Sequence, residues 1–191
     1  MPSNIKSKEM FSISRKGLTQ GLVQVYTGHG RGKTTSALGQ ALRAIGHGLR
    51  VYMGCFFKKR PVGELIAAKK YLQNSLTIEQ FGPSRFIQKD EQTKEDKRII
   101  NKAFQRARKV LLSGNYDIVI LDEINRAVDL KLIDLEAVLE LLKEKPPHVE
   151  LILTGRGAHP EIVKNADLVT EMLNIKHPLA TGIKARKGIE Y

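Results

Sequence analysis

The sequence predicts an α/β fold: a mostly parallel, open sheet with helices on both faces. Three observations predict it. Strand-like apolar runs alternate with helix-spaced segments along the whole chain. The most apolar run, Ile118-Val-Ile-Leu121, is unbroken, as a strand buried on both faces requires. A glycine loop, Gly28-His-Gly-Arg-Gly32, follows the first apolar strand and leads directly into a helix.

The elements follow in order. Residues 1–20 are polar and basic, with Phe11 and Ile13 as isolated apolar points, and are expected to form a flexible arm. Residues 21–191 are expected to form one domain, which suits a chain of 191 residues. The first strand ends near Thr27. The helix 33–45 places Leu38, Leu42 and Ile45 on one face. Gly46-His47-Gly48 stops it, with His47 as a cap or turn residue. A second strand covers 50–57. Lys58, Lys59 and Arg60 follow at its carboxyl end, where open α/β sheets bind ligands. They could meet phosphates, or form an exposed basic turn.

A helix at 63–72 and a third strand at 76–81 come next. The irregular loop 82–90 lies at a carboxyl strand end, so Phe86 could line a pocket or simply pack. Residues 91–112 read as a long amphipathic helix with Ile99, Ala103, Ala107, Val110 and Leu111 inward. The fourth strand, 116–123, runs into Asp122 and Glu123. Residues 125–128 read as a loop or short turn. The helix 134–142 turns Leu135, Val138, Leu139 and Leu142 inward, and Pro146-Pro147 ends it. The fifth strand, 150–154, leads into Gly155-Arg156-Gly157. A short helix at 160–165, a last strand at 168–173 and a basic tail complete the chain.

The stretch Thr27-Gly-His-Gly-Arg-Gly-Lys-Thr-Thr35 reads as a phosphate cradle. Gly28, Gly30 and Gly32 allow a tight turn whose amides can face an anion together. The helix start adds roughly half a unit of positive charge. Lys33 adds a full cation, and Thr34 a hydroxyl suited to Mg²⁺. The spacing departs from the common G-x-x-x-x-G-K-[ST] form. Counted back from Gly32 the first position is Thr27; read from Gly28 the loop is one residue short. Downstream, Asp122 and Glu123 are the metal candidates, either being able to make the direct contact. Arg156, between glycines at a strand end, is placed to reach a phosphate. Together these features predict a phosphate-loop nucleotide-binding fold of the RecA-like kind.

The formal charge of +12 favours anionic partners. Few aromatics interleave with the basic residues, so a base-stacking surface is not expected, nor is nucleic acid as the main partner. One cysteine, Cys55, excludes an internal disulfide framework and fits a reducing cytoplasm. There is no zinc-spaced Cys/His cluster and no apolar run of membrane-spanning length. The basic start of the chain, with Lys6, Lys8, Arg15 and Lys16, does not read as a secretory signal. On the residues alone, a phosphate-loop ATPase with a RecA-like core stays open, a nucleic-acid-linked motor included. Glu123 would then activate water. A nucleotide-binding regulatory module without turnover also stays open.

From about Gly21 to Tyr191 the chain resembles the corrinoid adenosyltransferases of cobalamin synthesis and salvage. The resemblance is carried by the loop 27–35, by Arg43-Ala-Ile-Gly-His-Gly48, by Val119-Ile-Leu-Asp-Glu-Ile124 and by Leu153-Thr-Gly-Arg156. The closing segments Val169-Thr-Glu-Met172, Ile175-Lys-His-Pro178 and Gly182-Ile-Lys-Ala-Arg-Lys-Gly-Ile-Glu-Tyr191 carry it as well. Family members often have Asn in place of His29 and Lys in place of Arg31. The resemblance implies ATP and a reduced corrinoid as substrates, with Mg²⁺ or Mn²⁺. It implies a triphosphate held in reverse, so that cobalt(I) attacks the ribose 5′ carbon and inorganic triphosphate leaves. Gly28, His29, Gly30, Arg31, Gly32, Lys33, Thr34, Thr35 and Arg156 are the implied nucleotide site; Thr34, Asp122 and Glu123 the metal site. Lys33 and Phe86 are the implied catalytic residues, Phe86 by crowding out the corrinoid's lower axial ligand. Some bacterial members pair that Phe with a Trp; this chain has no Trp, and Gln88 stands about where it would fall. Cys55-Phe-Phe-Lys-Lys59 departs from the family's usual Gln-Phe-x-Lys-Gly. A homodimer, and an electron donor such as a reduced flavoprotein, are implied as partners. The basic arm resembles the family's segment that orders over a bound corrinoid.

Overall fold

The computed structural model describes residues 17–57, 61–83, 85 and 87–190. Residues 1–16 of the expected arm, Lys58, Lys59, Arg60, Phe86 and Tyr191 lie outside the described residues. Six strands form one sheet: β1 (Val23–Thr27), β2 (Val51–Cys55), β3 (Leu76–Gln80), β4 (Ile118–Asp122), β5 (Glu150–Thr154) and β6 (Leu168–Glu171). Their order is β3-β2-β4-β5-β1-β6, and every pairing is parallel. Six α-helices connect and cover them: α1 (Lys33–Ile45), α2 (Gly63–Tyr71), α3 (Lys94–Leu111), α4 (Ile124–Asp129), α5 (Leu135–Glu144) and α6 (Pro160–Lys164). This is the expected RecA-like architecture.

Strand side chains alternate between faces, and the two cores follow that period. Val51, Met53 and Cys55 of β2, with Ile118 and Ile120 of β4, pack with alanines of α1 and α2. Tyr52, Val119, Leu121, Leu151 and Leu153 pack on the other face with α3, α4, α5 and α6. Right-handed crossovers produce this sorting. Connections stepping toward β3 use α1 and α2, and those stepping back use the other four.

Strands β2, β4 and β6 are shorter than the sequence reading, and three helical segments differ from it. In α1 the buried stripe is Ala37, Ala41 and Ala44, while Leu42 is 62% exposed. Small residues let the helix lie close to the sheet, and its first turn stands at the carboxyl end of β1 because the loop 28–32 joins the two directly. Helix α3 begins at Lys94 rather than 91, because Thr93 and Asp96 form a capping box. Ile100 and Phe104, not Ile99, fill its buried face. Residues 124–129 form a helix where a loop or short turn is expected. Strand β6 is an exposed edge and ends at Glu171. Among the described residues, no helix is long and apolar enough to cross a membrane.

Candidate active site

The carboxyl ends of β1, β4 and β5 meet at one corner. Between β1 and α1, Gly28 has φ +92° and Gly32, the N-cap of α1, has φ +121°. The loop lies against the chain that follows β6. The Gly30 amide donates to the Met172 carbonyl at 2.6 Å. A Cβ on Gly28 would stand 2.5 Å from the Met172 oxygen, and one on Gly30 2.5 Å from the Leu173 oxygen. Both glycines are therefore demanded by backbone packing. The shared amide nest read from sequence is smaller than expected, since Met172 takes the Gly30 N–H. The Lys33 ammonium donates to the carbonyls of Gly28 at 2.8 Å and Gly30 at 2.7 Å. Burial lowers its pKa; Glu123 and Asp122 act in the opposite direction, and Arg156 adds to the lowering.

Asp122 is fully buried at the end of β4. Its Oδ1 accepts hydroxyl hydrogen bonds from Thr34 at 2.8 Å and Thr154 at 2.7 Å. The Thr154 hydroxyl in turn accepts from the Glu123 amide at 2.9 Å. Two strand ends, those of β4 and β5, and the first turn of α1 are thus joined through one carboxylate. Glu123 adopts a left-handed backbone, φ 68°, a conformation costing about 1 kcal/mol or more in a residue with a side chain. The kink separates two neighbouring carboxylates: Asp122 stays in the wall, and Glu123 lines the cavity.

That cavity has a volume of about 530 Å³. His29, Gly30, Arg31, Gly32, Lys33, Thr34, Thr35, Glu123 and Arg156 line it, as the sequence leads one to expect. Gly28 and Asp122 stand behind the lining. Sequence reasoning passes over Thr154, Met172 and the C-terminal contributors His177, Gly188, Ile189 and Glu190. The Arg31 guanidinium pairs with Glu190 at 3.0 Å and donates to the Ile189 carbonyl. Arg186 first, and Arg31 after it, hold the Glu190 carboxyl at about 2. The closing segments carry the family resemblance, but nothing local in them shows that Ile189 and Glu190 meet Arg31, about 160 positions away in the chain.

The donors near Thr34 are all oxygens, Thr34 and Asp122 being in contact and Glu123 facing the cavity. Such a hard donor set fits Mg²⁺, which keeps several waters and takes one or two carboxylates beside substrate phosphates. Among the described residues, no group of three His, Cys, Asp or Glu is placed to hold a metal ion.

Residues 19–191 match the family described as ATP:corrinoid adenosyltransferase BtuR/CobO/CobP. The chain belongs to that family. The corrinoid adenosyltransferase of Escherichia coli (strain K12) is 34% identical over 188 residues, covering 98% of this chain and 94% of that protein. The corrinoid adenosyltransferase CobA of Salmonella typhimurium is 35% identical with the same coverage. Among solved structures, the flagellar accessory protein FlaH of Methanocaldococcus jannaschii superimposes with a TM-score of 0.54 at 12% identity. That match covers 81% of this chain and 72% of FlaH, and it speaks to the fold alone. As an adenosyltransferase, the enzyme has a cavity whose cationic side, Lys33 and Arg156, suits the phosphates of ATP.

Proposed function

We propose that this adenosyltransferase moves the 5′-deoxyadenosyl group of ATP onto cobalt. The cobalt(I) lone pair of a reduced corrinoid attacks the ribose 5′ carbon. The carbon–oxygen bond to the triphosphate breaks, its electron pair leaves with triphosphate, and a cobalt–carbon bond forms. Cobalt(I) is itself the nucleophile, so the protein's task is to orient ATP and neutralise the leaving group. Lys33, Arg156 and the loop amides left free by Met172 would do this. Mg²⁺ held at Thr34 and Glu123, with Asp122 behind, would supply further neutralisation of the triphosphate. The carrying observation is a phosphate cradle one residue short in a chain matching the family over nearly its whole length.

Phe86 is proposed to crowd out the lower axial ligand of the corrinoid, a role resting on the resemblance. A reduced flavoprotein is the proposed electron donor, and the cytoplasm the proposed site of action. A homodimer is supported by the exposed apolar side chains Leu168, Val169, Leu173 and Ile175 along and beyond the β6 edge.

Product analysis tests the reaction. With ATP, Mg²⁺ and cob(I)alamin under anaerobic conditions, adenosylated corrinoid and inorganic triphosphate should appear in equal amounts. ADP and phosphate in their place would mark the enzyme as an ATPase and overturn the reading.

A further inference from the structure

The cavity has two unlike walls. One is the cationic cradle. The other comes from the far end of the chain, where His177, Gly188, Ile189 and Glu190 face the phosphate loop. Ile189 is 54% exposed there, and Leu38 lines the same space. An apolar side chain, an imidazole and backbone suit a sugar and a base. The carboxylates of Glu64 and Glu190 on the lining would repel phosphates.

Arg31 joins the two walls. Its guanidinium reaches the Glu190 carboxylate and the Ile189 carbonyl. Glu190 also closes its own turn, accepting from the Arg186 amide at 2.7 Å and its guanidinium at 3.0 Å. Among the described residues, the hydrogen bonds tying 186–190 to the rest of the fold come from Arg31. The loop's second cation is thus directed at the tail.

We propose that Glu190 is a positioning residue: by gripping Arg31 it holds residues 186–190 across the cavity as the wall against which the nucleoside end of ATP packs. This rests on the ATP-using reading above. The ligand class is a purine nucleoside triphosphate, with the tail reading the nucleoside and the loop reading the phosphates.

Inorganic triphosphate fills the cradle without a nucleoside, so it separates the two walls. In calorimetry on the full chain, Glu190→Gln should weaken ATP binding about fivefold, the scale of a half-exposed ion pair. It should leave triphosphate affinity within about twofold of the parent. A general structural defect would weaken both ligands alike, and that result, or no change in either, would overturn the proposal. Trypsin gives a second readout, since Arg186 and Lys187 lie in the segment and Lys184 just before it. ATP should slow cleavage there, triphosphate should not, and Glu190→Gln should reduce the protection. Equal protection by both ligands would count against a nucleoside wall. If the parent protein binds triphosphate but not ATP, the ATP reading itself fails, whatever Glu190 does.

Discussion

Two carboxylates steady the phosphate loop, and they do so in opposite surroundings. Asp122 is 0% exposed and works from inside the sheet, through two hydroxyls. The side chain of Glu190 is 22% exposed and that of Arg31 50%, so their pair works from the solvent side. Hydrogen bonds to a buried charge are strong because water cannot compete for them. Exposed ion pairs contribute about 0–1 kcal/mol and are screened by salt. The inner contact therefore fixes geometry, while the outer one can open and close at little cost. A reaction that must admit two large substrates and release triphosphate benefits from one rigid wall and one adjustable wall.

The contrast can be broken first at the rigid wall. Lys33→Ala removes the cradle's buried cation and should lower turnover by about a hundredfold or more, read as triphosphate release. A loss below about threefold would remove Lys33 from the mechanism. Gly28→Ala forces a Cβ to 2.5 Å from the Met172 carbonyl at φ +92°. It should destabilise the fold by about 2–3 kcal/mol in urea unfolding and weaken ATP binding. Thr154→Val keeps the shape but removes the hydroxyl between Asp122 and the Glu123 amide, with an expected loss of about 1–3 kcal/mol. An unchanged unfolding midpoint would mean that this link does not hold the corner together.

A third carboxylate sharpens the comparison, because it sits on a strand of the sheet yet is paired from the solvent side. Glu79 on β3, with a side chain 28% exposed, accepts from the Tyr52 hydroxyl at 2.9 Å and from Arg106 at 2.6 Å. The Arg106 hydrogen bonds hold its pKa below the ordinary 4.5, against a smaller opposing effect of burial. A lowered carboxylate pKa stabilises the fold above the unfolded value, and that contribution disappears as pH falls through the folded value. Glu79→Gln should therefore cost up to about 1 kcal/mol at neutral pH, with solvent screening included. The gap to the parent should close on acidification below pH 4.5. A gap constant across that range would show that the charge on Glu79 contributes nothing.

The parts of the site legible in the sequence are those made by neighbours in the chain. The strand–loop–helix order around Gly28 to Thr35 and the run into Asp122 and Glu123 give each residue its place through local backbone geometry. The inward stripe of α1 was less legible. Leu38 and Ile45 do pack at the margin of the core, but Leu42 faces solvent, and only the nearness of the sheet selects Ala37, Ala41 and Ala44 as the buried stripe. The capping box at Thr93 and Asp96 was present in the sequence as a Thr-x-x-Asp spacing. The amphipathic pattern extending back to 91 masked it.

By itself the sequence determined the parallel α/β architecture, the phosphate cradle and the acidic strand end, because each is written in residues close together along the chain. Tertiary structure alone decided how two adjacent acids divide. The left-handed turn at Glu123 and the hydroxyl of Thr154, 32 positions on, keep Asp122 in the wall. It also decided that Met172 takes the Gly30 amide and that Glu190 reaches Arg31. Those contacts join segments more than 140 residues apart, and only the folding of β6 beside β1 brings them together.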